Sequence, residues 1–341
     1  MSIDLCVIGA GRIGRIHAAN LTHHPGATLA AVVDTDAAAA AALAKRHGAA
    51  VRDVDTALAD PNLDAVVIAS STDTHLVLIE ACSKAGKPML CEKPLDLDIG
   101  RAGRAVQLAE AAGVPLFIGF NRRFDPSFRR IHDDVAADAI GAVEVVTITS
   151  RDPEPPLIDY VRRSGGLFRD MTIHDLDMAR WLLGEEPVRV FATARCLVEP
   201  AIGESGDVDT AVLVLETARG GMCQITNSRR CAYGYDQRVE VFGARGMLRV
   251  DNRSATGVEQ AGAAGVLREP ALPFFLERYQ EAYRLEMDDF VRAVEGGANT
   301  LARARDGLQA LLLAEAAEMS RREQSSVPVP EWKQNSDIVL D

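Results

Sequence analysis

Short apolar runs alternate with longer alanine-rich stretches along the first 120 residues. The runs have the length of strands, and the stretches between them have the composition of helices. This alternation is typical of βαβ units that build a parallel sheet. It predicts five strands, at residues 4–8, 28–33, 65–69, 88–91 and 115–118. It predicts four helices, at residues 13–22, 37–47, 74–85 and 97–112.

Beyond residue 120 the strands show period-two alternation and are separated by turn residues. The pattern predicts a helix at residues 126–134 and strands at 143–150, 189–194, 211–216, 221–228, 237–242 and 247–251. Residues 252–270 have no clear period and predict a loop or an irregular hairpin. Two helices follow, at residues 279–294 and 301–321. The strands predict a mixed or antiparallel sheet, broad enough for an oligomer contact on its exposed face.

The length of 341 residues exceeds the size at which one hydrophobic core usually keeps growing. We therefore predict an α/β protein of two domains. Residues 1–120 are expected to form a Rossmann domain, with a doubly wound parallel sheet. Residues 121–341 are expected to form an α+β domain with a large, mostly antiparallel open sheet.

The composition is that of an ordinary globular protein, with 48% hydrophobic and 25% charged residues. A formal net charge of -12 opposes attraction to nucleic acid or anionic lipid, so we expect a small-molecule partner. Six cysteines are scattered without a CxxC pair, as in reduced thiols of a cytoplasmic protein. The sequence shows neither a leader pattern nor 18 uninterrupted apolar residues, and we expect neither export nor a membrane span.

The motif GAGRIG, residues 9–14, fits GxGxxG between the first strand and the first helix. Glycines at the three fixed positions allow a tight turn, a close approach to a pyrophosphate, and close packing of helix on strand. The expected contacts are Gly9, Ala10, Gly11, Arg12, Ile13 and Gly14. Asp34 ends the second strand, where a carboxylate accepts hydrogen bonds from a ribose diol and repels a 2'-phosphate. NAD is thus favoured over NADP. The alternative to a dinucleotide site is that residues 9–14 form only a turn between the strand and the helix.

The motif CEKPL, residues 91–95, follows a predicted buried strand. Pro94 biases Lys93 away from helix and allows a cis peptide bond. Lys93 would then lie at the carboxyl edge of the sheet, where its charge can stabilise an alkoxide. Glu92 and Lys93 are expected to contact the cofactor. The alternative is that Lys93 is a solvated loop lysine.

The stretch SSTDTH, residues 70–75, offers small hydroxyl groups and a histidine at another strand end. Ser70, Ser71, Thr72 and His75 are expected to line the path of the cofactor. A helix N-cap role for Ser71 or Thr72 explains the hydroxyl groups equally well.

The run GGLFRDMTIHDLD, residues 165–177, places Asp170 four residues before His174 on the predicted first turns of a helix. Side chains four residues apart share a helix face, so the pair is suited to moving a proton near neutral pH. The alternative is an exposed polar helix face. Metal binding by these two residues with Asp175 and Asp177 is disfavoured, because no second histidine or cysteine lies nearby at ligand spacing.

Together these motifs make the chain resemble the Gfo/Idh/MocA oxidoreductases. The resemblance rests on GAGRIG, CEKPL, GFNRRFDPSF at residues 119–128 and SGGLFRDMTIHDLDMARWLLGEEP at residues 164–187. It extends to about residue 330. The last two motifs, with NSRRCAYGYDQRVEVFG at residues 227–243, are most similar to members that oxidise inositol.

The resemblance implies that the second domain binds the substrate and supports assembly as a homotetramer. It implies that Lys93, Asp170 and His174 are catalytic, with His174 as the general base. A polyol needs several polar side chains to orient it. The expected substrate-binding residues are Lys93, Asn121, Arg123, Asp152, Asp170, His174, Tyr233 and Tyr235, and either tyrosine is a candidate to face the pocket.

The expected reaction is NAD-dependent oxidation of myo-inositol to 2-keto-myo-inositol. Oxidation of scyllo-inositol, D-chiro-inositol or glucose is the main alternative, since related enzymes share much of the pattern. An NAD-dependent glycosidase and a non-catalytic NAD sensor are further alternatives. A sensor is expected to lack Lys93 or His174, and both are present.

Overall fold

The structure is a computed structural model that describes residues 2–332. The chain forms two compact units. The first contains residues 2–124, Ala282–Leu311 and residues 331–332, and the second contains Asp125–Glu281 and Leu312–Pro330. The first division lies near the predicted boundary at residue 120. The difference is that segments from the C-terminal part of the chain return to the first unit.

Residues 2–124 alternate strand and helix, as the hydrophobic pattern predicts. Their elements are β1 Ile3–Ile8, α1 Arg12–His23, β2 Ala27–Val33, α2 Ala37–His47, β3 Ala50–Val51, α3 Val54–Leu58, β4 Ala65–Ile68, α4 His75–Lys84, β5 Met89–Cys91, α5 Ile99–Ala112 and β6 Leu116–Ile118. Two 3₁₀ turns follow strand ends, at Thr72–Thr74 and Asn121–Phe124. The helix ends have local causes. Asp36 accepts hydrogen bonds from two backbone amides at the start of α2, and Gly48 ends that helix in the left-handed region.

Residues 125–281 are richer in strand. Their elements are α6 Pro126–Ala136, β7 Val143–Arg151, α7 Ile158–Ser164, α8 Ile173–Leu183, β8 Pro187–Arg195, α9 Pro200–Glu204, β9 Thr210–Thr217, β10 Met222–Ser228, β11 Asp236–Gly243, β12 Gly246–Val250, β13 Glu259–Gly262, β14 Gly265–Arg268 and α10 Phe275–Arg278. A π-helical turn, Phe168–Thr172, leads directly into α8. The chain continues with α11 Gln280–Val294, β15 Ala302–Arg303, α12 Ala304–Glu323 and β16 Val327–Pro328.

The sheet of the first unit has the strand order β15-β6-β5-β4-β1-β2-β3. Strands β1 to β6 run parallel, and β15 pairs antiparallel with β6. The central strands are buried on both faces, as in a doubly wound fold, and this prediction is confirmed. The helix predicted from residue 301 is wrong at its start. Ala302 and Arg303 pair with Ile118 and Phe117 instead, and α12 begins at Ala304.

The sheet of the second unit has the strand order β12-β11-β7-β10-β9-β8-β16. Every pairing is antiparallel except β7 with β10, so the predicted mostly antiparallel sheet is confirmed. Its strands alternate buried and partly or fully exposed positions, and one sheet face carries the core. Strands β13 and β14 form a separate exposed hairpin within the stretch that lacks a clear period.

Within residues 2–332, no helix is long and apolar enough to cross a membrane. All six cysteines are free thiols, and five of them are buried. Burial raises the pKa of the Cys6 and Cys82 thiols to about 12. These thiols therefore stay protonated at neutral pH and belong to the apolar core.

Candidate active site

The predicted cofactor loop joins β1 to α1. Gly9 has φ +110°, and a Cβ there would lie 2.5 Å from the Ala69 carbonyl oxygen. A Cβ at Gly14 would lie 1.8 Å from the Gly9 carbonyl oxygen. Side chains are thus excluded at both positions. A Cβ at Gly11 would meet nothing within 4 Å, so this side of the loop is open to a bound group. The loop fits the pyrophosphate of a dinucleotide.

Asp34 lies just past the end of β2 and reaches back to this loop. Its Oδ2 accepts a hydrogen bond of 2.6 Å from the Ala10 amide, and its Oδ1 accepts one of 2.8 Å from the Asp36 amide. The carboxylate is therefore fixed beside the glycine loop. Arg12 is exposed and Ile13 is half-buried on the first turn of α1.

The segment after β4 carries the predicted hydroxyl groups. Ser70 Oγ lies 2.7 Å from Thr74 Oγ1, which donates to the Ser71 carbonyl. Ser71 precedes the 3₁₀ turn that begins at Thr72, but its side chain makes no capping hydrogen bond. The structure therefore does not support the alternative that the Ser71 side chain caps the following helix.

His75 is 1% exposed and faces the backbone with both ring nitrogens. Nδ1 lies 3.0 Å from the Pro94 carbonyl oxygen and Nε2 lies 3.3 Å from that of Ser70. Burial lowers the pKa of His75, so the ring is neutral and carries one N–H. The shorter contact assigns that N–H to Nδ1. His75 thus ties the start of α4 to the turn that follows β5.

Lys93 is half-buried in that turn. The Lys93–Pro94 peptide is cis, as the sequence allows. Glu92 is 8% exposed and lies 2.7 Å from His17 Nε2 through its Oε1. Asn121 and Arg123 follow β6 and are also buried, and Arg123 Nη2 lies 3.4 Å from Asp306 Oδ1.

The predicted residues of the first unit therefore share one edge of its sheet. Parallel strands end at the same edge, and the crevice there is where α/β folds bind ligands. The residues that follow β1, β2, β4, β5 and β6 are Gly9, Asp34, Ser70, Glu92 with Lys93, and Asn121 with Arg123.

In the second unit, Asp170 lies in the π-helical turn rather than on the predicted α-helical turn. His174 follows in the first turn of α8 and is half-buried. A π turn is wider than an α turn, so the spacing of four residues does not have its usual geometry here. Such turns occur frequently at functional sites.

Both carboxylate oxygens of Asp170 accept hydrogen bonds from residues outside its own turn. Tyr160 OH donates to Oδ1 over 2.7 Å, and Arg229 Nη2 donates to Oδ2 over 3.1 Å. Arg229 is 1% exposed, so it places a buried positive charge against the carboxylate. Burial of the hydroxyl, followed by the negative charge of Asp170, raises the pKa of Tyr160, and Asp152 adds to this shift.

A buried polar network lies at the start of α8. Asp175 accepts hydrogen bonds of 2.6 Å from Ser150 Oγ and 2.8 Å from Asn227 Nδ2. Asn227 Oδ1 in turn accepts a hydrogen bond of 2.7 Å from Thr172 Oγ1. The network ties the π turn and α8 to strands β7 and β10, and so it holds Asp170 and His174 in place.

The two candidate tyrosines have different surroundings. Tyr233 is 47% exposed, donates to Asp236 over 2.6 Å, and accepts from Arg151 over 2.6 Å. Burial and then this bond to Asp236 raise the pKa of Tyr233 to about 12. Tyr235 is 6% exposed, with its ring packed edge-on against Phe274 and Tyr279 at 6.0 Å each.

Tyr160 and Arg229 are the residues that sequence reasoning missed. Arg229 stands in the quoted NSRR stretch, and Tyr160 in a short helix that the pattern did not indicate. Nothing in their spacing links them to Asp170. The signal that identifies Arg229 is in the structure, where it is the buried cation opposite the Asp170 carboxylate. Among the described residues, no three His, Cys, Asp or Glu side chains form a group suited to a metal ion.

Comparison with known proteins identifies the two halves of the chain. The oxidoreductase family with the NAD-binding Rossmann fold matches residues 3–120, and the Gfo/Idh/MocA C-terminal domain matches residues 128–249. The chain belongs to the Gfo/Idh/MocA family of oxidoreductases. It is an NAD-dependent enzyme, and the predictions of family, fold class and cofactor are confirmed.

Three relatives show how far the similarity extends. Inositol 2-dehydrogenase of Rhizobium meliloti is 47% identical over 329 residues, which cover 96% of this chain and all of that protein. Myo-inositol 2-dehydrogenase of Thermotoga maritima is 46% identical, with coverage of 95% and 98%. The structure of scyllo-inositol dehydrogenase from Lactobacillus casei with bound NAD(H) and scyllo-inositol matches with a TM-score of 0.89 and 30% identity. That match covers 96% of this chain and 99% of the other.

Proposed function

We propose that the protein oxidises myo-inositol at carbon 2 to 2-keto-myo-inositol (scyllo-inosose), with NAD as the hydride acceptor. The main support for this substrate is the sequence identity of 47% and 46%, over nearly the whole chain, to two inositol dehydrogenases. The fit of the glycine loop and Asp34 to a dinucleotide supports the same reaction.

His174 is proposed as the general base. Hydride loss from a secondary alcohol leaves a carbonyl group, so the hydroxyl proton has to depart at about the same time. An imidazole ordinarily titrates near neutral pH and suits this transfer. His174 lies on the first turn of α8, next to Asp175. The hydrogen bonds of Asp175 hold this turn, and so they fix the position of the His174 ring.

Asp170 is proposed to orient His174 or to bind a neighbouring hydroxyl of the polyol. Arg229 compensates its charge and Tyr160 donates to it, which leaves a carboxylate held at two points. A fixed acceptor of this kind selects the orientation of a ring that carries many hydroxyl groups. Arg229 and Tyr160 thus belong to the proposed site as positioning residues.

Lys93 is proposed to stabilise the negative charge that develops on the substrate oxygen. When bound, NAD supplies the acceptor for the hydride. The turn that carries Lys93 is held on one side by the contact of His17 with Glu92 and on the other by the contact of His75 with Pro94. A held turn limits the directions in which the ammonium group can point.

The remaining contacts are proposed from the residues at the two sheet ends. Polyol binding is assigned to Lys93, Asn121, Arg123, Asp152, Asp170, His174, Tyr233 and Tyr235. Cofactor binding is assigned to Gly9, Ala10, Gly11, Arg12, Ile13, Gly14, Asp34, Ser70, Ser71, Thr72, His75, Glu92 and Lys93. We assign cofactor binding to the first unit, and substrate binding and assembly mainly to the second.

We propose assembly as a homotetramer through the open face of the second sheet. Phe191, Val212, Met222, Phe242 and Met247 are exposed on this sheet, each between 38% and 47%. Met222 and Phe242 both pair with Val145 of β7, and Phe242 also pairs with Met247, so these four side chains form one apolar row across the strands. An exposed row of this kind is typical of a protein interface.

The six free cysteines support a reducing, cytoplasmic location.

The test is a substrate panel. The absorbance of NADH is followed at high pH with myo-inositol, scyllo-inositol, D-chiro-inositol and glucose at equal concentrations. We expect the highest kcat/KM with myo-inositol. A higher value with another polyol would reassign the substrate, and no reduction with any polyol would refute the dehydrogenase. Turnover of a glycoside without added NAD would indicate a glycosidase instead.

A further inference from the structure

A second buried polar cluster lies behind Lys93, within the first unit. His17 on α1 contacts Glu92 after β5, and Glu286 on α11 is near enough to Glu92 to interact with it electrostatically. His17 and Glu286 are both 0% exposed, and Glu92 is 8% exposed. Tyr283, one turn before Glu286 on α11, packs edge-on against the His17 ring at 5.9 Å. His17 therefore links α11, through Tyr283, to Glu92, the residue that precedes Lys93.

Glu286 is the unusual member of the cluster. Among the described residues, neither of its carboxyl oxygens has a hydrogen-bond partner. Burial, followed by the charge of Glu92, raises the pKa of Glu286 well above its ordinary value. Two carboxyl groups in one buried place do not both ionise readily, so the protonated form of Glu286 is favoured. A buried acid without a hydrogen-bond partner lowers the stability of the fold more than an apolar residue would. Its presence next to the turn of Lys93 therefore indicates a functional role.

The Glu92 carboxylate is confined on its other sides. His17 Nε2 lies 2.7 Å from its Oε1. A Cβ at Gly119 would lie 3.1 Å from three atoms of the carboxyl group, so this group packs directly on the glycine. The backbone is also held, because the Glu92 amide donates to the Ile68 carbonyl over 2.9 Å. Both the side chain and the backbone of Glu92 are thus held one residue before Lys93.

We propose that His17 and Glu286 are positioning residues for Lys93: His17 holds the Glu92 carboxylate by a hydrogen bond, Glu286 is the buried acid of the same cluster, and through Glu92 they set the turn that presents the Lys93 ammonium group. This proposal rests on the proposed role of Lys93. His17 contributes a hydrogen bond to Glu92, and neutral Glu286 provides a side chain that does not repel it. Ionised Glu286 would repel the Glu92 carboxylate and displace the turn. Among the described residues, the titratable groups of this cluster besides Glu286 are Glu92, His17 and Tyr283, which lies on the same helix as Glu286.

The test compares three variants with the natural protein. His17→Phe keeps a ring against Tyr283 and removes the contact with Glu92. Glu286→Gln has the same shape and cannot ionise. Glu281→Gln makes the same chemical change at an exposed position of α11 and is the matched control. For each protein, kcat and KM for myo-inositol are measured from pH 6 to 10.5, and NADH affinity is measured by fluorescence.

We expect His17→Phe to lower kcat by about tenfold, because a misplaced catalytic group slows the chemical step. The changes in KM and in NADH affinity should be smaller than the change in kcat, since Glu92 and Lys93 are only two of the residues assigned to these contacts. We expect Glu286→Gln, which cannot ionise, to move the alkaline limb of the kcat profile to higher pH. Glu281→Gln should follow the natural protein throughout.

Two results would overturn the proposal. One is an unchanged kcat in His17→Phe, and the other is an unchanged alkaline limb in Glu286→Gln. If circular dichroism shows that His17→Phe is unfolded, Glu286→Gln alone decides. Failure of the proposed function is seen separately, since the natural protein would then form no NADH with myo-inositol. Failure of the proposed role of Lys93 is also seen separately, since Lys93→Met would then keep the kcat of the natural protein.

Discussion

Replacement of Arg229 by methionine tests whether a buried cation holds Asp170. The change removes the guanidinium group and keeps an unbranched apolar side chain of similar length. Asp170 then keeps the hydrogen bond from Tyr160 and loses the positive charge 3.1 Å from its Oδ2. The Arg229 and Asp170 side chains are 2% and 12% exposed, so solvent screens the pair little.

The expected loss follows from these distances. At 3.1 Å and an effective dielectric constant of about 20, the Coulomb attraction is about 5 kcal/mol. Removal of one partner from a buried pair usually costs about 3–5 kcal/mol. We expect Arg229→Met to lie near the lower end, at about 3 kcal/mol, because Tyr160 still donates to Asp170. For a domain of this size, this corresponds to a fall in Tm of roughly 10 °C.

Urea unfolding followed by circular dichroism measures the free energy, and Arg230→Met is the matched control. Arg230 is the neighbouring arginine and is exposed, so its loss should change stability by less than about 0.5 kcal/mol. We also expect kcat/KM for myo-inositol to fall about 100-fold in Arg229→Met, because Asp170 is no longer fixed. If Arg229→Met unfolds within about 1 kcal/mol of its control, the reasoning about the buried pair is wrong.

Further predictions concern the chemistry, the cofactor, the phenol and the assembly. Lys93→Ala and His174→Ala should each abolish NADH formation and leave NAD binding by calorimetry nearly intact; retained turnover removes that residue from its role. Asp34→Ser should raise the KM for NAD and reduce the preference over NADP, and an unchanged preference means that Asp34 does not select the ribose. The pKa of Tyr160 is raised by burial and then by Asp170, so an unfolded chain loses the phenol proton near pH 10 while the folded protein retains it. The stability advantage of the natural protein over Tyr160→Phe should therefore shrink as pH rises above about 10 in urea unfolding, and a constant difference argues against the bond to Asp170. Phe242→Glu should yield a smaller species by light scattering, whereas an unchanged mass excludes this sheet face as the interface.

The Rossmann half could be predicted because its signals are local. Each strand is an apolar run, and the loop of Gly9 and Gly14 admits no other residue at these two positions. The strand β15 could not be predicted, because a pairing of two residues is decided by the partner strand β6 and not by its own pattern. The same reason explains why the return of residues 282–311 to the first unit is not visible in the sequence.

The candidate site could be predicted only in part. The spacing of Asp170 and His174 indicates chemistry, but it does not distinguish an α turn from the π turn that the structure shows. The partners of Asp170 come from α7 and from the residue after β10, far away in sequence. Their roles depend on tertiary contacts, and neither a tyrosine in a short helix nor two adjacent arginines form a distinctive sequence pattern.

The regiochemistry of hydride transfer tests the central claim most directly. Myo-inositol that carries deuterium at carbon 2 is incubated with the enzyme and NAD, and the reduced dinucleotide is analysed by mass spectrometry. The account predicts that the deuterium is recovered in the NADH and that 2-keto-myo-inositol carries none at that carbon. Unlabelled NADH, with the deuterium retained in the product, would contradict oxidation at carbon 2.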